Sequence, residues 1–142
     1  MMDNRRLNSK KRNAIYELLR SDKGHPTAEM IYNRLKPLYP ELSLGTVYRN
    51  LSILMEDGLV VSVGNVDGQE RYDARLDLHA HFVCSRCHRV TDIELTPAEF
   101  ELLGNLDGRL NCDIEFYTLT VQGVCEDCRN NSFFLAHSNE NI

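Results

Sequence analysis

The chain lacks any run of apolar residues that approaches the length needed to span a membrane. Residues 1–12 contain no apolar segment of the kind that an export signal requires, so we expect a cytoplasmic protein with no membrane partner. There is no internal repeat and no low-complexity segment. There is also no excess of positive charge, because the net charge is −5 at pH 7. That value argues against a protein that coats nucleic acid indiscriminately.

The charge is nevertheless unevenly distributed. Residues 1–73 carry 11 Lys and Arg against 10 Asp and Glu, whereas residues 74–142 carry 5 against 11. The first twelve residues concentrate the basic side chains, namely Arg5, Arg6, Lys10, Lys11 and Arg12. The N-terminal half is therefore the candidate for contact with phosphate, and we predict that Lys10, Lys11 and Arg12 bind DNA.

Four of the five cysteines form two CxxC pairs, Cys84 with Cys87 and Cys125 with Cys128. Two such pairs supply the four thiolates of a closed tetrahedral zinc site, whose binding free energy contributes to folding. The alternative is two unrelated redox or disulfide pairs. It is disfavoured because neither pair follows the strand-to-helix pattern of a thioredoxin-like motif.

The string from Cys84 to His88 also matches the CxxCH motif that attaches c-type haem. The missing export signal argues against this alternative. We expect His88 to be a polar residue of the knuckle turn, the turn formed by Cys84 to His88. Cys112 is the odd cysteine, and we expect it to be a small buried hydrophobic residue.

Residues 1–73 show three helical segments followed by a hairpin. Ser9, Thr27 and Ser43 are each placed to cap a helix, and Gly58 is placed to end the third. Residues 59–63, 64–68 and 69–73 then follow a strand, turn, strand pattern. Three helices and a hairpin predict a winged helix-turn-helix.

The C-terminal half predicts a small mixed α/β domain. Residues 78–84 and 89–94 have the pattern of paired strands, and Thr96 with Pro97 begins a helix through a capping box. Residues 113–122 have the pattern of a strand with apolar side chains on both faces. Burial on both faces in so small a domain indicates a dimer interface.

We therefore predict an α+β chain with two domains. Residues 1–73 form the winged helix-turn-helix domain, residues 74–77 a hinge, and residues 78–142 a metal-binding α/β dimerisation domain with structural zinc. Within it, residues 137–142 have the composition of a loose tail.

The third predicted helix carries the side chains suited to reading base edges. In helix-turn-helix proteins the N-terminal part of this helix enters the major groove. Its candidate DNA-binding residues are Thr46, Tyr48, Arg49 and Asn50. The alternative is an ordinary amphipathic helix with a polar outer face; the wing and the basic N-terminus favour DNA.

His79 and His81 form the second chemical pattern. Residues two apart on a strand face the same way, so both imidazoles would point to one site. Asp73 and Asp92 are the natural oxygen donors nearby. Such a set suits iron, manganese or zinc rather than calcium or magnesium. The alternative is an exposed polar pair.

Taken in order, these motifs resemble the ferric uptake regulator family of metal-responsive repressors. The matching segments are His25-Pro26-Thr27-Ala28-Glu29, Gly45-Thr46-Val47-Tyr48-Arg49-Asn50-Leu51, Arg71-Tyr72-Asp73, His79-Ala80-His81 and the two CxxC pairs. The resemblance implies structural zinc on the four paired cysteines. It also implies a regulatory metal, Fe2+ or Mn2+, held by His25, Asp73, His79, His81 and Asp92.

The chain most resembles the peroxide-sensing branch of that family, because Asp92 stands where the iron-sensing branch typically has glutamate. This resemblance implies a homodimeric repressor rather than an enzyme, with an inverted-repeat, A/T-rich DNA operator. It implies further that peroxide oxidises His25 or His79 when the metal is iron. The resemblance has two departures: we expect the short N-terminus to lack most of the family's first helix, and His88 stands where glycine is usual.

Other functions remain open at this stage. Within the family, the alternatives are an iron-responsive or a zinc-responsive repressor. Outside it, a non-haem iron enzyme would use two histidines and a carboxylate, but it needs a substrate cavity that nothing in the sequence indicates. A zinc-stabilised protein-interaction module is the other alternative.

Overall fold

The computed structural model describes residues 2–131, with side chains described from residue 10 onward. The chain divides into an N-terminal unit, Met1–Asp77, and a C-terminal unit, Leu78–Ile142. The side chains of Arg5 and Arg6 and the expected tail at 137–142 lie outside the described residues. None of the helices in the described part has the length and apolar character needed to cross a membrane.

The N-terminal unit is a winged helix-turn-helix, as predicted. Its elements are α1 (Met2–Ser21), α2 (Ala28–Leu35), α3 (Leu44–Glu56), β1 (Val61–Val66) and β2 (Gln69–Asp73). One apolar core joins the three helices to the hairpin, and its buried side chains include Ile15, Leu19, Ile31, Val47, Leu51, Leu54 and Tyr72. Met30 and Met55, on α2 and α3, are exposed and lie outside this core.

Local side chains fix two of the helix starts. Thr27 accepts a hydrogen bond from the backbone N–H of Met30, and Ser43 accepts one from that of Thr46. These caps were predicted, as was the left-handed stop at Gly58, which has φ +72°. The predicted start of α1 at Ser9 was wrong: residues 2–9 contain no proline or glycine, and the helix extends back to Met2.

The wing is an antiparallel hairpin with a two-residue turn. Val66 pairs with Gln69, so the turn is Asp67-Gly68, and both residues have positive φ. The strand predicted over 59–63 instead runs over 61–66. Gly64, expected in the turn, sits within the strand beside a bulge, where its φ of +110° is tolerated because it has no Cβ.

The C-terminal unit is a three-stranded sheet with short helices. β3 (Ala80–Cys84) is central; β4 (Val90–Ile93) pairs with it antiparallel and β5 (Thr120–Gly123) pairs with it parallel. The helices are α4 (Pro97–Gly104), α5 (Leu106–Leu110) and α6 (Glu126–Asn130). The predicted α+β fold class is confirmed, although α5 and α6 were not expected.

One expectation for this unit is confirmed and one is wrong. Thr96 begins α4 with a complete capping box, in which it exchanges hydrogen bonds with Glu99. The strand predicted over 113–122 is reduced to β5, because β3 offers ladder partners only from His81 to Cys84. Phe116, which lies in the part of the predicted strand that falls outside β5, is 75% exposed.

Candidate metal centres and nucleic-acid interface

The four paired cysteines converge in the C-terminal unit. Cys84 ends β3, Cys87 lies in the turn before β4, and Cys125 and Cys128 flank the start of α6. All four Sγ atoms lie within 4.8 Å of one another, and those of Cys87 and Cys125 are 3.7 Å apart. Zn–S bonds of about 2.3 Å in a tetrahedron place the sulfurs about 3.8 Å apart. The cluster therefore fits structural zinc.

The charge balance of the cluster also fits a cation. Backbone N–H groups of Cys125, Cys87 and Arg86 donate to Sγ of Cys84 and lower the pKa of its thiol to about 5. In contrast, hydrogen bonding to Cys125 and burial raise the pKa of Cys128 to about 12. Four sulfurs this close cannot all ionise without compensating positive charge, which a zinc ion supplies.

The backbone adopts a left-handed conformation at His88, beside the cluster, and at Asn111, which precedes Cys112. His88 has φ +63° in the knuckle turn, a conformation that glycine adopts more readily. Cys112 is exposed rather than buried, so that prediction was wrong. It follows Asn111, whose left-handed conformation ends α5.

The second donor set of the C-terminal unit joins β3 to β4. Nε2 of His79 and Nε2 of His81 are 3.0 Å apart, and they lie 3.3 and 3.4 Å from Oδ1 of Asp92. Both histidines are buried, at 7% and 9% exposure, and His81 pairs directly with Asp92 across the ladder. Two imidazole nitrogens and a carboxylate oxygen aimed at one point form a donor set for a borderline first-row metal.

The N-terminal unit contains its own pair of donors. Nδ1 of His25 lies 3.6 Å from Oδ2 of Asp73, and both side chains are nearly inaccessible to solvent. His25 has φ +52°, an uncommon conformation for a residue with a Cβ, and is 1% exposed. A buried imidazole beside a buried carboxylate is again a donor pair suited to a metal.

Sequence reasoning missed the residues that hold His25 in this conformation. Arg71 donates to the backbone carbonyl of His25 at 3.2 Å, and the N–H of Tyr72 donates to the carbonyl of Pro26 at 3.2 Å. Both residues directly precede Asp73 on β2. Their position in the Arg71-Tyr72-Asp73 segment was visible in the sequence, but nothing there indicated their contact with a loop over 40 residues earlier.

The predicted DNA-binding residues do not share one environment. Tyr48 and Arg49 are exposed on α3, Lys10 is exposed on α1, and Thr46 and Lys11 are half-buried. Asn50 is only 3% exposed. Its amide is engaged at both ends within the unit: Oδ1 accepts from Nε of Arg12 at 3.1 Å, and Nδ2 donates to the carbonyl of Thr46 at 3.1 Å.

The sequence profile of the ferric uptake regulator family matches residues 5–102. The peroxide-responsive repressor PerR of Staphylococcus aureus is 30% identical over 119 residues, which cover 84% of this chain and 80% of that protein. The crystal structure of the Campylobacter jejuni peroxide stress regulator superposes with a TM-score of 0.79 at 27% identity, covering 90% of this chain and 96% of that one. A zinc uptake regulator complexed with zinc and DNA shares the fold, with a TM-score of 0.65 at 22% identity over 87% of this chain and 83% of that one.

Proposed function

Since the chain belongs to the ferric uptake regulator family, we propose that it is a metal-dependent, DNA-binding transcriptional repressor that senses hydrogen peroxide. The observation that carries the metal dependence is the convergence of His79, His81 and Asp92 on one point. Family membership supports repression, and similarity to peroxide-responsive relatives supports the signal.

The regulatory metal in this proposal is Fe2+ or Mn2+, bound by donors from both units: His25, Asp73, His79, His81 and Asp92. The donor chemistry favours such a metal, because imidazole nitrogen and carboxylate oxygen together suit borderline first-row ions. A metal held by both units would favour one arrangement of the DNA-binding unit in the dimer. Metal and DNA would then each raise the affinity for the other by the same factor.

The repressor would act as a homodimer. The C-terminal unit leaves several large apolar side chains exposed, including Leu102, Phe116 and Val121, which a second copy could cover. A twofold dimer with one α3 per subunit would bind an inverted repeat, with the two helices in successive major grooves. We propose an A/T-rich operator, in which Tyr48 would contact thymine methyl groups.

The peroxide signal depends on which metal is bound. Bound ferrous iron would supply the electrons that cleave the O–O bond of hydrogen peroxide. In the net reaction, one peroxide oxygen would be added to C2 of the imidazole of His25 or His79, giving 2-oxo-histidine, and the other would leave as water. Both imidazoles are buried, so the oxidant would react with them before it reached solvent. An oxidised imidazole is a poor ligand, and loss of the metal would release the operator. The manganese form would resist peroxide, since Mn2+ does not readily reduce it.

Mass spectrometry of the protein loaded with Fe2+ or Mn2+ and exposed to peroxide tests this proposal. We expect one added oxygen on the peptide carrying His25 or His79 in the iron form and none in the manganese form. His88 lies outside the donor sets and provides an internal control that should stay unmodified. Oxidation confined to the cysteines, or none at all, would contradict peroxide sensing and favour an iron- or zinc-responsive repressor.

A further inference from the structure

Asn50 contacts one side of the Arg12 guanidinium, and no other partner of that group is found among the described side chains. Nε of Arg12, on α1, donates to Oδ1 of Asn50 on α3 at 3.1 Å. Among the side chains described, from residue 10 to 131, nothing forms a hydrogen bond or ion pair with the two terminal nitrogens of Arg12. Arginine presents its N–H groups as a planar fork, so fixing Nε leaves the terminal pair in a defined orientation.

The chemistry of Asn50 preserves the charge of Arg12. Half-buried arginines are usually paired with carboxylates, which would fix the guanidinium but also neutralise it. An amide oxygen fixes the orientation and leaves the full positive charge available to an external anion. Asn50 is itself held in place, because its Nδ2 donates to the carbonyl of Thr46 at 3.1 Å.

The position of this pair indicates which anion it would bind. Thr46 and Asn50 lie in the first two turns of α3, which begins at Leu44. Tyr48 and Arg49, between them in the chain, are exposed. A guanidinium beside the leading turns of a helix in the major groove would meet the phosphates that border the groove.

We propose that Asn50 is a positioning residue that orients Arg12 as a fixed clamp for a backbone phosphate of duplex DNA. Asn50 therefore supports recognition from inside the unit instead of pairing with a base. The inference rests on the proposed DNA-binding function and adds to it a phosphate site with a named support.

A double-mutant cycle between Arg12→Gln and Asn50→Leu tests the clamp. Leucine has the branched shape and the number of heavy atoms of asparagine and favours helix, but its methyl groups are bulkier, so thermal unfolding checks that the buried position tolerates it. Each variant is loaded with Mn2+, and its affinity is measured over a range of salt concentrations. The two DNA probes are a duplex selected by the wild type from a random library and an unrelated duplex of equal length.

Arg12→Gln should weaken binding to both duplexes roughly tenfold, because it removes a charged hydrogen bond. It should also reduce the magnitude of the slope of log affinity against log salt concentration by about 0.9, the contribution of one phosphate contact. Asn50→Leu should weaken binding to both duplexes in the same proportion, with sequence preference unchanged. The double variant should be no weaker than Arg12→Gln alone. Arg20→Gln is the matched control on α1, since Arg20 already bonds Glu17, and it should bind like the wild type.

Two results would overturn the clamp. If Asn50→Leu changes the base preference, Asn50 is a base-reading residue. If Asn50→Leu costs the same DNA affinity in the wild-type and in the Arg12→Gln background, the pair is only a contact between α1 and α3. Arg12→Lys provides a test that does not depend on the fold of the Asn50 variant. Lysine keeps the charge but lacks the planar guanidinium that Asn50 orients. The DNA affinity of Arg12→Lys should therefore be closer to that of Arg12→Gln, and wild-type affinity would contradict the proposal. If the Mn2+-loaded wild type selects no duplex from the library, the proposed function fails rather than the clamp.

Discussion

At the residue scale, the sulfur cluster and the His79–His81–Asp92 set are both built on short local spacings. Two CxxC pairs and a His-x-His on a strand define ligand geometry within a few residues, and the structure brings these atoms together inside the C-terminal unit. The burial of Asn50 and the exposure of Cys112 depend on what packs against them. Arg12, which bonds Asn50, lies 38 residues earlier in the chain.

Cys125→Ser should lose the zinc and much of the stability of the C-terminal unit. Removing one of four thiolates leaves an incomplete tetrahedron, and structural zinc contributes apparent binding free energies of about 10–16 kcal/mol in small domains. Metal analysis and thermal unfolding measure both effects. Cys112→Ser is the matched control, because Cys112 is exposed and outside the cluster. Full zinc content and unchanged stability in Cys125→Ser would rule out the zinc assignment.

At the element scale, short-range signals located most of the helices and fixed several boundaries. The caps at Thr27, Ser43 and Thr96 use side chains within three residues of the groups they bond, so the sequence contains the complete signal. Strand lengths were less predictable. The segment 113–122 has a strand-like pattern, but its pairing depends on the length of β3, which lies far away in the sequence.

Tyr48→Ala should relax the sequence preference of α3. The exposed ring lies in the leading part of the helix, so its loss should cost about 1–3 kcal/mol on the preferred duplex and much less on unrelated DNA. Lys11→Ala on α1 is the comparison, and it should weaken binding to all sequences about equally because a phosphate contact carries no base information. Binding assays on both duplexes measure the difference. An equal loss on both duplexes for Tyr48→Ala would show that α3 does not read the sequence through this ring.

At the scale of the whole molecule, charge distribution and element order together indicated two units of different character. The N-terminal half has nearly balanced charge and the C-terminal half is acidic, and the chain divides into compact units at Asp77 and Leu78. Each unit contains its own buried histidine and carboxylate side chains with the chemistry of metal donors. We propose that one metal binds donors of both units and thereby controls DNA binding.

The most direct test of that claim is the affinity for the selected duplex with and without Mn2+, with the structural zinc retained throughout. Typical allosteric coupling predicts that Mn2+ tightens binding about 5- to 150-fold. His25→Ala should abolish this gain because it removes a donor without touching the exposed face of α3, whereas His88→Asn, outside the donor sets, should keep it. Fluorescence anisotropy titrations would measure all of these affinities. A metal-free protein that binds the duplex as tightly as the manganese form would contradict the account.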